Sequence, residues 1–194
     1  MNLDGILPFA RKLLEKAVTD GNAVVDATLG NGHDTLYLAN LVGSDGHVFG
    51  FDIQKQAIET SLSKISEKGF EDRVTLFHSG HENLGLLIPT EYHGKLAGAI
   101  FNLGYLPGSD KSITTTPLTT ISALNQLMNL LKPGGIIVIV IYHGHEQGKV
   151  ERDHLIEFAI SLDQTKAHVL QYQFINQQNN PPFIIAIEKR PDRN

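Results

Sequence analysis

Apolar residues Leu3, Ile6, Leu7, Ala10, Leu13, Leu14 and Ala17 recur at helical spacing. Pro8 suits a first turn better than a helix interior, so the regular part of this helix is expected to start there. Ala23-Val24-Val25-Asp26-Ala27 is a short apolar, β-branched run that ends in a glycine-rich turn, and it reads as a buried strand. His33 to Leu41 reads as a helix, and Val48 to Asp52 as a second strand with an acid at its end. Gln54 to Lys68 carries Ala57, Ile58, Leu62 and Ile65 on one face and stops at Gly69. Val74 to Phe77 and Leu96 to Phe101 are further strands, with a short helix expected near 83–87 between them. A polar loop with Gly and Pro is expected over 102–115. Thr116 can cap a helix with Pro117 at its first position. Leu118, Ile121, Leu124, Met128 and Leu131 line that helix, and Pro133-Gly134-Gly135 is expected to end it. Ile136 to Tyr142 is the most apolar strand, Lys149 to Leu162 a helix, and 168–174 and 183–189 two late strands with no helix between them.

Strands that alternate with helices build a parallel sheet covered on both faces. The unbroken apolar run from Ile136 to Ile141 fits a strand buried on both sides. The asparagine- and proline-rich link between the last two strands can join antiparallel neighbours. The expected fold is α/β: a mostly parallel seven-stranded sheet with a terminal antiparallel pair, which is the Rossmann-like arrangement of class I methyltransferases. Nothing in the chain suggests a second domain, so residues 1–194 are read as one unit.

Composition narrows the chemistry. The chain has no Cys, which excludes disulfides, thiolate metal sites and cysteine nucleophiles. No apolar run approaches the roughly 20 residues of a membrane span. The amphipathic start lacks the core of a signal peptide, so the expectation is a soluble cytoplasmic protein. The net charge of −5 is uneven: residues 1–97 hold 8 basic and 13 acidic residues, whereas 98–194 hold 8 of each. This is not the footprint of a protein that coats nucleic acid. A local contact to a short single-stranded loop needs few phosphates and is compatible with it.

The first strand leads into Asp26-Ala27-Thr28-Leu29-Gly30-Asn31-Gly32-His33-Asp34-Thr35. Gly30 and Gly32 allow a tight turn and close approach of a ligand to backbone. In a wound sheet this turn lies at the carboxyl edge, where ligands bind. Asp52 follows Gly30 by 22 residues, at the end of the next strand, where a carboxylate can accept from both ribose hydroxyls. An adenosine-containing cofactor is therefore expected across the first two strands. A dinucleotide fingerprint needs a third small residue, but Thr35 stands there. Asp26 and Asp34 would also repel a pyrophosphate, whereas they suit the ammonium and sulfonium of S-adenosylmethionine (SAM). Alternatively, the two glycines merely turn the chain and Asp52 caps a helix.

Asn102-Leu103-Gly104-Tyr105-Leu106-Pro107-Gly108 follows the fourth strand, beside the expected cofactor site. The Asn102 carbonyl can accept from an attacking amine and aim its lone pair. Tyr105 can stack on a base or close the pocket. Asn102 capping an ordinary turn is the plainer reading of the same residues.

The stretches 26–35 and 101–108, Tyr142-His143-Gly144-His145-Glu146-Gln147-Gly148, and Phe174-Ile175-Asn176-Gln177 with Pro181-Pro182 together resemble one small bacterial family. It is the family of tRNA 5-aminomethyl-2-thiouridine methyltransferases, formerly labelled rRNA methylases, and the resemblance covers nearly the whole chain. His143 departs from it, because the family often has Pro there. The resemblance implies a SAM-dependent transferase that converts 5-aminomethyl-2-thiouridine to 5-methylaminomethyl-2-thiouridine at the wobble position, with a tRNA anticodon stem-loop as partner. It implies Asn31, Gly32, His33 and Asp34 around the methionine end of SAM, and Asp52 with Gln54 at the ribose. Ser79 and His81 would border the adenine, and Asn102 would sit beside the transferred methyl.

Such chemistry is an in-line displacement that mainly requires alignment of amine and methyl carbon. Burial and a nearby positive charge favour the free amine, so a specific base is optional, with Asp34, Asp110, His145 and Glu146 as candidate acceptors. Asn102 and Tyr105 are expected to orient the target, and Lys111, Tyr142, His145 and Glu146 to meet the substrate. Lys149 and Arg152 could meet phosphates, and Phe183 could stack on a base. The pairs His78/His81 and His143/His145 do not by themselves make the three or four convergent ligands of a metal site, and no metal is expected. Homodimerisation would widen the RNA-binding surface of so small an enzyme. An rRNA or small-molecule methyltransferase, a non-catalytic nucleotide-binding module and an NAD-dependent oxidoreductase stay open at this level.

Overall fold

The computed structural model describes residues 2–104 and 114–191. Helix α1 spans Ile6–Ala17, strand β1 Ala23–Asp26, helix α2 His33–Leu41, strand β2 His47–Asp52 and helix α3 Lys55–Lys68. Strand β3 covers Val74–His78, helix α4 Leu84–Leu87, strand β4 Leu96–Leu103 and helix α5 Pro117–Leu130. Strand β5 runs Leu131–Ile141, helix α6 Glu146–Ser161, strand β6 Ala167–Tyr172 and strand β7 Phe183–Lys189. The strands form one sheet in the order β3-β2-β1-β4-β5-β7-β6. β1 to β5 are all parallel to one another, and β7 runs antiparallel to both β5 and β6. This is the expected architecture.

Period-two alternation divides the core between the two faces of the sheet. Val25, Phe49, Phe51, Ile137 and Ile139 pack with Leu84, Leu124, Leu127 and Leu155, from α4, α5 and α6. Val24, Val48, Ile100, Val138 and Val140 pack with Ala10, Leu14 and Leu38, from α1 and α2. Both faces of the central strands are thus apolar, which explains their unbroken hydrophobic sequence.

Several boundaries differ from the sequence reading. Helix α1 starts at Ile6, not Pro8, because the first turn needs no backbone N–H from its third residue. Helix α5 ends at Leu130, and Leu131 to Gly135 belong to β5 rather than to a helix stop. Leu131 pairs with Leu96 and Ile136 with Gly98, so the four residues between them lie at an irregularity in the pairing of β5 with β4. Helix α6 begins three residues earlier than expected, at Glu146. Strand β4 continues to Leu103, so Asn102 stands on a strand instead of in a loop. Two terminators behave as read: the Thr116 side chain caps α5 with Pro117 in its first turn, and Gly69 closes α3 in the left-handed conformation.

The chain winds from β1 outward through β2 and β3, then returns to place β4 on the other side of β1. That reversal opens a crevice beyond the carboxyl ends of β1 and β4. Among the described residues, no helix is long and apolar enough to cross a membrane.

Candidate functional site

A cavity of about 1040 Å³ lies in this crevice. Its floor is the turn after β1. Gly32 caps α2 with φ +75°, a conformation that L side chains rarely adopt, and an added Cβ would lie 2.6 Å from the Ser61 hydroxyl. Ser61 donates to the Gly30 carbonyl, and Lys64 donates to that of Asn31, so α3 grips the turn from behind. Asp52 grips it from the side: one carboxylate oxygen accepts from the Gly30 N–H at 2.9 Å and the other from the Gln54 N–H at 2.8 Å. Each oxygen keeps a lone pair for a further donor.

Asn102, at the end of β4, is tied to the same turn. Its backbone N–H donates to the Thr28 hydroxyl at 2.7 Å, and its Nδ2 donates to Asp34 at 2.7 Å. A carboxylate only accepts, so this bond fixes the amide orientation and leaves Oδ1 as the outstanding acceptor. Oδ1 is buried and has no hydrogen-bond partner among the described residues. His81 presents a similar case. Its Nδ1 contacts the Ala27 carbonyl at 3.0 Å and must carry the proton there, so Nε2 is an acceptor. Nε2 is also buried without a partner among the described residues, and burial holds the imidazole below its ordinary pKa, in the neutral form this geometry needs.

Gly30, Asn31, His33, Asp34, Asp52 and Gln54 all reach the cavity wall. So do Ser79, His81, Asn102, Tyr142 and His145. Three expected site residues do not. Gly32 only shapes the turn, and Asp26 is buried beneath it. Glu146 points to solvent and pairs with Lys149 at 3.1 Å. Tyr105, Asp110 and Lys111 lie outside the described residues. Phe183 is fully buried against His143 and cannot stack on a base, a correction that follows from its place on an interior strand. Among the described residues, no three His, Cys, Asp or Glu side chains are grouped to hold a metal ion.

The sequence reading missed other parts of the wall. Leu7 and Arg11 come from α1, Glu82 from the turn after β3, Thr114, Thr115 and Thr116 from the approach to α5, and Asn180 from the β6–β7 link. Glu151, on α6, is buried yet accepts from the Thr115 and Thr120 hydroxyls at 2.6 and 2.8 Å, and so pins that approach. Asn179 and Asn180 adopt positive φ, which Asn tolerates better than most residues, and an Asn-Asn-Pro-Pro run was a usable signal for a special turn.

Electrostatically the floor is acidic. Asp26 accepts from the Thr35 hydroxyl at 2.6 Å and from the Thr28 N–H at 3.2 Å. Burial, and then the nearby Asp34 charge, push its carboxyl up to about 7. The folded protein therefore binds this proton more tightly than the unfolded chain. Its stabilising contribution is complete below pH 3.8 and is lost as pH rises through about 7. We expect the stability of the native protein relative to Asp26→Asn to fall between about pH 4 and 7, by at most about 1.4 kcal/mol per pH unit, and to level off above that. Parallel urea denaturation across that range checks it, and a flat difference would contradict the buried carboxyl.

A floor of tight backbone, two buried acceptors, an available carboxylate and clustered negative charge suits a cationic adenosine ligand. The family described as "Putative rRNA methylase" matches residues 48–188. The chain is 35% identical over 188 residues to a protein of Arabidopsis thaliana named tRNA (mnm(5)s(2)U34)-methyltransferase, chloroplastic, covering 93% of this chain and 68% of that one. Its fold is similar to that of a Clostridium thermocellum protein described as "putative rRNA-methylase", with TM-score 0.93 and 44% identity over 97% of this chain and 100% of that one. It is also similar to a Streptococcus mutans protein described as "a putative methyltransferase", in complex with SAH, with TM-score 0.86 and 32% identity over 96% and 99% of the two chains. On the span and strength of these matches, the chain belongs to this methylase family.

Proposed function

We propose that this protein is a SAM-dependent N-methyltransferase that converts 5-aminomethyl-2-thiouridine to 5-methylaminomethyl-2-thiouridine at the tRNA wobble position. The observation that carries the reading is the Asn102 amide, locked by Asp34 so that a buried acceptor is left over at the cavity wall. An amine nucleophile brings the N–H that such an acceptor lacks. The similarity to the Arabidopsis enzyme supplies the substrate class.

The residues present fit SAM. Asp52 has lone pairs for the ribose hydroxyls, and the buried Nε2 of His81 can accept from the adenine amino group. Asn31, His33 and Asp34 line the cavity, and this reading assigns them to the methionine end. When bound, SAM supplies an electrophilic methyl group on a good leaving group. The chain's own part is alignment. Asn102 Oδ1 accepts one N–H of the amine and so points its lone pair along the line of displacement. The amine attacks as the free base: the apolar parts of the cavity wall disfavour its charged form, and its proton passes to water. Asp34, already accepting from Asn102 and Arg11, steadies the amide rather than serving as the sole proton acceptor. Tyr142 borders the cavity, and burial together with Asp34 raises its phenol above the ordinary value, so it acts as a neutral ring and hydroxyl toward the base. Tyr105 and Lys111 belong to the same reading as target-orienting and phosphate-contacting groups. A tRNA anticodon stem-loop as the recognised element, a homodimer and a cytoplasmic location complete the proposal.

The test is methylation of purified tRNA that lacks only the last methyl group, followed by mass analysis of its nucleosides. A gain of one methyl on the wobble nucleoside is the expected result. SAM binding without that gain would overturn the tRNA assignment and favour another methyl acceptor.

A further inference from the structure

Arg11 is unexplained by the chemistry above. It comes from α1, which precedes the sheet, and among the described residues it is the only Arg or Lys on the cavity wall. Its guanidinium lies 4.6 Å over the Tyr37 ring, and Tyr37 is itself anchored to Glu15 at 2.6 Å. Its Nη2 lies 3.3 Å from Asp34 Oδ1. Its Nε is buried and has no hydrogen-bond partner among the described residues. As a stabilising ion pair this arrangement is poor: the contact is long, single and two-fifths exposed on the Arg side. As a binding device it is well formed. A carboxylate and a guanidinium side by side offer both signs to one small ligand, and the stack on Tyr37 holds the cation in place.

We infer that Arg11 binds the carboxylate of the amino-acid end of SAM while Asp34 receives its ammonium. An α-amino acid carries both charges on one carbon, so the two wall groups match it in sign and in closeness. The guanidinium fork can present two N–H groups to a carboxylate, and the unpartnered Nε is one of them. The inference rests on the proposed placement of the methionine end beside Asn31 to Asp34.

Calorimetry with SAM and with decarboxylated SAM, which lacks only that carboxylate, tests it. The native protein is expected to prefer SAM by about 10-fold or more, the worth of one charge-assisted contact. Arg11→Gln should weaken SAM by the same factor and leave decarboxylated SAM within about twofold, so that the preference collapses. Arg11→Lys should restore part of it. Equal weakening of both ligands by Arg11→Gln would overturn the inference, because it would mean Arg11 only supports Asp34 and Tyr37. Unchanged SAM binding with weakened tRNA binding would overturn it in favour of an RNA phosphate. No binding of either ligand by the native protein would overturn the cofactor reading itself, and this inference with it.

Discussion

Replacing Asn102 with alanine is expected to slow methyl transfer roughly 100-fold, the usual loss when one preorganised polar group at a reacting centre is removed. The reason lies in three polar groups of one residue, two of them bonded and one not. The backbone N–H holds β4 to the β1 turn through Thr28 and survives the substitution. The side-chain Nδ2 holds Asp34, which keeps Arg11 as a second partner. Only the Oδ1 acceptor has no substitute. SAM affinity should therefore change by no more than a few-fold, and the thermal midpoint should stay near that of the native protein. Single-turnover rates with saturating SAM isolate the chemical step. Asn102→Asp should also lose activity, because a second carboxylate would then face Asp34 and one of the pair must hold a proton. An Asn102→Ala enzyme with native turnover would remove Asn102 from the reaction.

The sheet was legible because its interior strands are apolar on both faces and its helices carry caps. Val24 and Val25 face opposite layers, as do Ile137 and Val138, and no other architecture buries both sets. The β1 turn was legible because two glycines and an acid at the end of the next strand follow from what close approach to a nucleoside demands. What remained hidden came from non-local geometry. Arg11 reads as one polar position on an amphipathic helix, and only the packing of α1 beside the turn brings it to Asp34. Asp26 looked like a ligand-facing acid, but as the last residue of β1 it is still fully buried, and its carboxylate turns under the floor to meet Thr35. The end of β4 was read short because Asn102 has low strand propensity, which pairing with Val140 overrides. Phe183 looked available at the edge of a loop, whereas the antiparallel pairing of β7 with β5 seals it inside.

Asp52 carries the second large effect. Asp52→Ala is expected to weaken SAM binding by 100-fold or more, since two hydrogen bonds to a charged acceptor are lost, each worth about 1.5–3 kcal/mol. The same carboxylate also organises the protein, because the Gly30 and Gln54 N–H groups both donate to it. Loss of affinity alone would not separate the two roles. A pair of ligands does: SAH and its 2′-deoxy analogue. The native protein should prefer SAH by about 10-fold, because one lone pair on Asp52 then goes without its hydroxyl. In Asp52→Ala that preference should vanish while both ligands bind weakly. If the preference persists in the variant, the ribose is read elsewhere and Asp52 serves only the turn. Asp52→Asn gives a further check. Its amide nitrogen would confront one of the two backbone donors, so it should lose both stability and affinity despite its matching shape.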